Sequence, residues 1–268
     1  MIGKNAELLL EPVRSIRRAV ILWAVAVGGL IFMTVAVWPA FKGASGLSQA
    51  LDQLPSGIVQ AFGLQGIGTP AGFLRGNIYD LFGPLVLAGA AIGFANSLTS
   101  GEEDAGRLEV TLAQPVTRQA IFLGRALAVL VGVAVVTLAA TVVQFGSDAI
   151  FDLQIASDRL LATLILCALL ALLHAGLALA LAGLVAKPSA VLGVGIFAAV
   201  AGALVAALFP LTGSLEWLAH VSPWDWAFAG DPLVNGAEPW RYLVLAVPAV
   251  LLTAFGTWAF SRRDVSAP

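Results

Sequence analysis

Ser100–Arg125 reads SGEEDAGRLEVTLAQPVTRQAIFLGR and sets Glu102, Glu103, Asp104, Arg107, Glu109, Arg118 and Arg125 between two long apolar runs. The chain has 268 residues and only 11% charged side chains, and this is its densest cluster of charge. Such a stretch is stable in water and cannot lie in hydrocarbon. It therefore marks one face of a membrane, and the apolar sequence on either side must cross away from it.

Composition agrees. Hydrophobic residues make up 59% of the chain, whereas a soluble domain carries roughly 25% charged residues. A net charge of -2 with no basic stripe excludes nucleic acid as a partner. The single cysteine, Cys167, lies inside an apolar run and excludes an internal disulfide. Arg14, Arg17 and Arg18 precede the first run, which is long enough to span and lacks a clean small-x-small cleavage site, so no cleaved signal peptide is expected.

Charge-free runs fall at Ala19–Phe41, Leu81–Gly101, Ala126–Ser147, Leu160–Ala186, Pro188–Leu215 and Tyr242–Ser261. Each holds the roughly 20 apolar residues that cross a hydrocarbon core of about 30 Å, and each must be helical to satisfy its own backbone. The expected fold is an all-α integral membrane protein with six transmembrane helices, at 19–40, 78–99, 119–143, 160–186, 190–209 and 241–260. Residues 41–77 and 210–240 are expected as outer segments. A seventh charge-free run, Gln53–Leu74, contains Pro55, Gly57, Gly63, Gly66, Gly68 and Pro70. That density of helix breakers reads as an interfacial or re-entrant segment.

With six spans, one side holds Lys4, Arg14, Arg17, Arg18, Arg107, Arg118, Arg125, Lys187, Arg262 and Arg263. The other holds only Lys42, Arg75, Arg159 and Arg241. The positive-inside rule then puts both termini and the opening stretch in the cytoplasm. Trp38, Trp217, Trp224, Trp226 and Trp240 fall on the outer side, where indoles favour the headgroup layer.

Before the first span, Ile2, Ala6, Leu9, Val13, Ile16 and Val20 recur at steps of four and three, with charges opposite. This pattern predicts an amphipathic interfacial helix over 1–18, rather than a disordered basic leader, with a kink or new turn at Pro12. Ala24/Gly28, Gly89/Gly93, Gly176/Ala180 and Gly202/Ala206 have the spacing that lets helix backbones approach in lipid.

The chain carries no GxxxxGK[ST] phosphate loop, so it is not expected to bind a nucleotide or to be an enzyme. No HExxH or Cys/His cluster offers a metal site, and Asp148, Asp152 and Asp158 do not match a calcium loop. His174 is mid-span, which makes it a candidate polar residue of a translocation path. Against that stands a neutral imidazole hydrogen-bonded to a neighbouring helix. No carboxylate lies mid-span, as ion-coupled transport would want.

Within the opening stretch, Ser100 and Glu103 have capping-box spacing. Glu102, Glu103 and Asp104 favour a helix N-terminus, and Glu103 and Arg107 are spaced for an i,i+4 pair. Ala105, Leu108 and Leu112 form a small apolar face, Pro115 ends the helix, and Thr117 caps the third span. By these features alone, a solvated loop helix and a docking helix fit equally.

Glu102, Glu103, Gly106, Leu108, Glu109, Leu112, Ala113, Pro115, Val116, Thr117, Arg118, Gly124 and Arg125 resemble a motif of the permease subunits of type-2 ATP-binding cassette transporters. SPWDWAFAGDPLVNG (Ser222–Gly236) and FSRRDV (Phe260–Val265) also look like that family, and the likeness covers essentially the whole chain. Val110 and Thr111 depart from it, standing where the family has two large apolar residues. The resemblance implies a cytoplasmic coupling helix at 100–116. Glu102, Glu103, Arg107, Leu108, Glu109, Leu112, Pro115 and Arg118 would meet a separate ATPase subunit, which would bind ATP and magnesium. It also implies a second permease copy or a related permease, and export of an amphiphilic or hydrophobic compound such as a lipid, drug or natural product. An ion-coupled secondary transporter or channel working without an ATPase is the competing assignment.

Overall fold

The computed structural model describes residues 2–42, 53, 66–112 and 115–263; among these, side chains are described from residue 11 on, apart from Glu109 and Val110. The described residues form helices joined by turns and short links, with no strand among them. The long helices are α1 (Ile2–Lys42), α3 (Phe82–Leu98), α6 (Arg118–Phe151), α7 (Ser157–Leu184), α8 (Pro188–Leu208) and α12 (Pro239–Arg262). Short helices stand between them: α2 (Pro70–Leu74), α4 (Ser100–Asp104), α5 (Arg107–Leu112), α9 (Glu216–Ala219), α10 (Pro223–Phe228) and α11 (Pro232–Asn235). Six helices are long and apolar enough to cross a membrane, at Glu11–Lys42, Pro70–Asp104, Arg118–Phe151, Ser157–Leu184, Pro188–Leu211 and Pro239–Arg262.

α1 joins the leader expected at 1–18 and the span expected at 19–40 in one helix with no break between them. The reason is a shared face. Ile16, Val20, Val27, Ile31, Val35 and Trp38 are all buried, so one apolar stripe runs straight from the amphipathic part into the span. Pro12 is absorbed within the helix, and its carbonyl accepts the Ser15 hydroxyl at 2.8 Å. At 1.5 Å per residue the helix is about 60 Å long, twice a hydrocarbon core.

The second span also begins earlier than 78. Thr69 caps α2, its hydroxyl accepting from Gly72 N at 3.1 Å, and Pro70 fills the first helical position. A π-helical turn, Arg75–Tyr79, leads on to α3. The expected interfacial or re-entrant run 53–74 lies mostly outside the described residues.

α7 sits centrally, packed against α3, α6, α8 and α12. Its closest neighbour is α12, and the two run parallel with backbones touching. A Cβ on Gly176 would come 2.8 Å from the Ala249 carbonyl oxygen, and one on Gly183 would drive into that of Gly256. Small residues permit this approach where lipid gives no hydrophobic drive for association. The working pairs are therefore Gly176/Gly183 and Ala249/Gly256, seven apart. Gly28 meets Val143, and Gly202 meets Trp224 and Ser222, whereas Gly89 and Gly93 have nothing within 4 Å of an added Cβ.

The segment expected outside at 210–240 packs against the long helices. The Ser222 hydroxyl donates to Gly202 O at 2.7 Å, and the Trp224 ring meets His174 edge-on at 5.2 Å. Groups on neighbouring helices hold the backbone of this segment. Arg241 Nη1 donates to Asp225 O at 3.3 Å and Trp226 O at 2.9 Å, and Ser222 Oγ accepts from Trp224 N at 3.2 Å. Trp224 and Trp38, expected in a headgroup belt, are buried, whereas Trp217 and Trp240 are exposed.

Candidate coupling site

The polar stretch folds as two short helices, where one was expected over 100–116. Ala105 N bonds Gly101 O at 3.2 Å, Gly106 N bonds Glu103 O at 2.9 Å, and Gly106 adopts φ +68. A left-handed glycine ends α4 and lets α5 start in a new direction. Ala113 and Gln114 lie outside the described residues, and Pro115 is exposed just beyond them.

No capping box forms. Thr99 is the N-cap residue, but its hydroxyl turns back to Ala95 O at 2.5 Å. Ser100 is fully buried and reaches Val185 O, at the end of α7, at 3.4 Å. A start meant for a local cap thus becomes a contact with the fourth span.

The ion pairs also differ from the i,i+4 expectation. Arg107 Nε and Nη2 both donate to Glu102 Oε1, at 2.9 and 2.7 Å. The turn at Gly106 rotates Arg107 away from Glu103, toward solvent. Hydrogen bonding to Glu102 raises the Arg107 pKa still further above its ordinary value.

Glu103 instead turns inward. Its side chain is 7% exposed, and Oε2 accepts from Arg263 Nη2, just past α12. Glu103 Oε1 and Arg263 Nε are both buried without a hydrogen-bond partner, so a small rotation would complete a two-bond fork. Arg118 Nη1 donates to Arg263 O at 2.6 Å, and Phe122 and Phe260 stack beneath at 5.2 Å. Thr117 caps α6 as expected, accepting from Ala120 N at 3.2 Å. One end of the bundle therefore knots α4, α6 and α12 together.

Of the remaining expected contacts, Leu108 is 1% exposed and belongs to the core of this chain. Leu112 and Arg118 are half-buried, and the side chain of Glu109 is outside the described set. The exposed surface belongs to Asp104, Ala105, Arg107 and Pro115. Behind it, buried Arg125 shares with Glu102 and Glu11 the lining of a cavity of about 50 Å³ that Ser15 also lines.

His174 is 4% exposed, and its Nδ1 lies 2.8 Å from Leu170 O on its own helix, not on a neighbour as expected. That contact makes Nδ1 the protonated nitrogen of the neutral ring. Two features escaped the sequence: the Glu103–Arg263 tie and the seat of Trp224 on His174. The first had a signal in the isolated Arg262-Arg263 pair at the end of the last span. The second had none beyond a tryptophan in a short capped helix.

No curated protein and no solved structure matches the chain. Residues 12–261 match the family described as multidrug efflux system permease Rv1217c, C-terminal domain, and with its six apolar helices the chain belongs to that family.

Proposed function

We propose that this chain is the membrane-spanning subunit of an ATP-driven exporter, with the 100–116 element as the docking site for a separate ATP-binding subunit. ATP and magnesium are bound and used on that partner. The chain lies in the cell membrane with both termini cytoplasmic, beside a second permease copy or a related permease. Its cargo is amphiphilic or hydrophobic.

The observation that carries this proposal is the Glu103–Arg263 tie. It fastens a polar, outward-facing element to the far end of the last span, while Ser100 touches the end of α7. A push on Asp104 and Arg107 would reach α7 and α12 at once, and these two form the backbone-contact pair at the centre of the bundle. The element is thus built to pass force rather than merely to close a loop. Leu108 and Glu103 anchor it, and Arg107 with Glu102 presents its charge. Arg14, Arg17, Arg18, Arg118, Arg262 and Arg263 support the cytoplasmic orientation through the positive-inside rule.

His174 takes the role of a seat for Trp224. Movement of α7 at its inner end would tilt that seat and shift α10 on the opposite side.

The test is copurification with an ATP-binding subunit encoded beside the chain. Arg107→Glu is expected to abolish capture while leaving membrane insertion unchanged. Undiminished capture would assign docking to another surface.

A further inference from the structure

α6, α7 and α12 enclose an apolar groove of about 360 Å³ on the flank of the bundle. Its walls include Leu127 and Leu130 of α6, Leu172 and Leu179 of α7, and Val250 and Ala254 of α12. It opens outward, since Leu127, Leu130 and Val250 are 42%, 45% and 66% exposed. The wall offers no free hydroxyl donor, because the Thr253 side chain is committed to Ala249 O at 2.8 Å. Whatever lies here is held by apolar contact alone.

The groove does not end on apolar sequence. Val250 and Ala254 lie on a ridge that continues, at four-residue steps, to Trp258 and Arg262. All four are exposed, and the Arg262 guanidinium lies 4.8 Å from the Trp258 ring centroid. From Val250 to Arg262 the ridge covers about 18 Å, close to the depth of one leaflet's half of a core of about 30 Å. Along one helix face the order is therefore hydrocarbon groove, interfacial indole, cation.

We propose that this face is a binding site for an anionic phospholipid of the leaflet at the basic end. One acyl chain fills the α6–α7–α12 groove, the glycerol region lies against Trp258, and the phosphate sits at Arg262. Charge complementarity selects this occupant. An uncharged cargo would gain nothing from Arg262, and a zwitterionic lipid gains less than one with net negative charge. The groove floor is the Gly176–Ala249 contact, so an acyl chain here would brace the two spans that the coupling element pulls on.

The full-length chain, released from bilayers of equal phosphatidylglycerol and phosphatidylcholine, is examined by native mass spectrometry for retained lipid. Phosphatidylglycerol is expected to be retained in preference to phosphatidylcholine. Arg262→Gln is expected to lower that preference about fivefold, the contribution of one surface arginine. Ala254→Trp, at an exposed position, should fill the groove and lower retention of both lipids. Phe197→Trp, on the exposed face of α8, serves as the control and should change nothing. Equal retention of the two lipids by the unaltered chain would overturn the site, as would unchanged retention in both groove variants. So would a loss of export in Ala254→Trp with lipid retention intact, which would make the groove a cargo route.

Discussion

Glu103 on α4 and Arg263 just beyond α12 stand 160 residues apart in the chain and share a part-buried ion pair. The contact joins the polar stretch between the second and third spans to the end of the sixth. It sits in a knot with Arg118, which donates to Arg263 O, and with the Phe122–Phe260 stack.

Removing one partner of a part-buried pair leaves the other unsatisfied. Arg263→Gln should therefore destabilise the detergent-solubilised chain by about 1–3 kcal/mol, seen as a lowered midpoint of thermal unfolding. Glu103→Gln should do the same. Combining the two should cost less than the sum of the single changes, because the stranded charge is gone. Strict additivity would show that the pair carries no coupling.

The α7–α12 crossing makes a second, separate prediction. Gly183→Ala puts a methyl group into the Gly256 carbonyl, and forced repacking of this kind costs about 1–3 kcal/mol. Gly89→Ala and Gly93→Ala lie inside a helix and meet nothing within 4 Å, so they should hold or raise stability, by up to about 1 kcal/mol. Thermal unfolding of the three variants side by side checks the contrast.

How much of this was legible beforehand depended on distance along the chain. The six spans were readable because hydropathy is a local, one-dimensional property, and the Thr117 cap because its partner Ala120 lies three residues away. The Ser100–Glu103 box failed because Thr99 bonds backward and Ser100 finds Val185, 85 residues on. Likewise, nothing local distinguishes Glu103 from Glu102; the αL turn at Gly106 sends one inward and the other to Arg107. The packing of the 210–240 segment was not legible locally, because it is set by Gly202, His174 and Arg241, which belong to other helices.

The 210–240 segment should be held in place by Arg241. Its guanidinium donates to two α10 carbonyls and packs over Gly230. Arg241→Gln is expected to loosen α10. A cysteine at Ala227, which is fully buried, should resist a membrane-impermeant maleimide in the parent background and label in the Arg241→Gln background. The parent Cys167 is buried and serves as the internal blank.

Docking and transmission should separate by residue. Arg107 is exposed and pairs only with Glu102 among the described contacts, so Arg107→Glu should leave the unfolding midpoint unchanged while abolishing ATPase capture. Arg263→Gln, tested below its unfolding range, should capture the ATPase normally but export poorly, since the link to α12 is cut.

The most direct measurement is ATP turnover by the cognate ATP-binding subunit reconstituted with this chain, with and without Arg107→Glu. Docking on the 100–116 element predicts that the unaltered chain changes the subunit's turnover and that Arg107→Glu returns it to the rate of the subunit alone. Turnover that responds equally to both chains would contradict the assignment of this element as the coupling site.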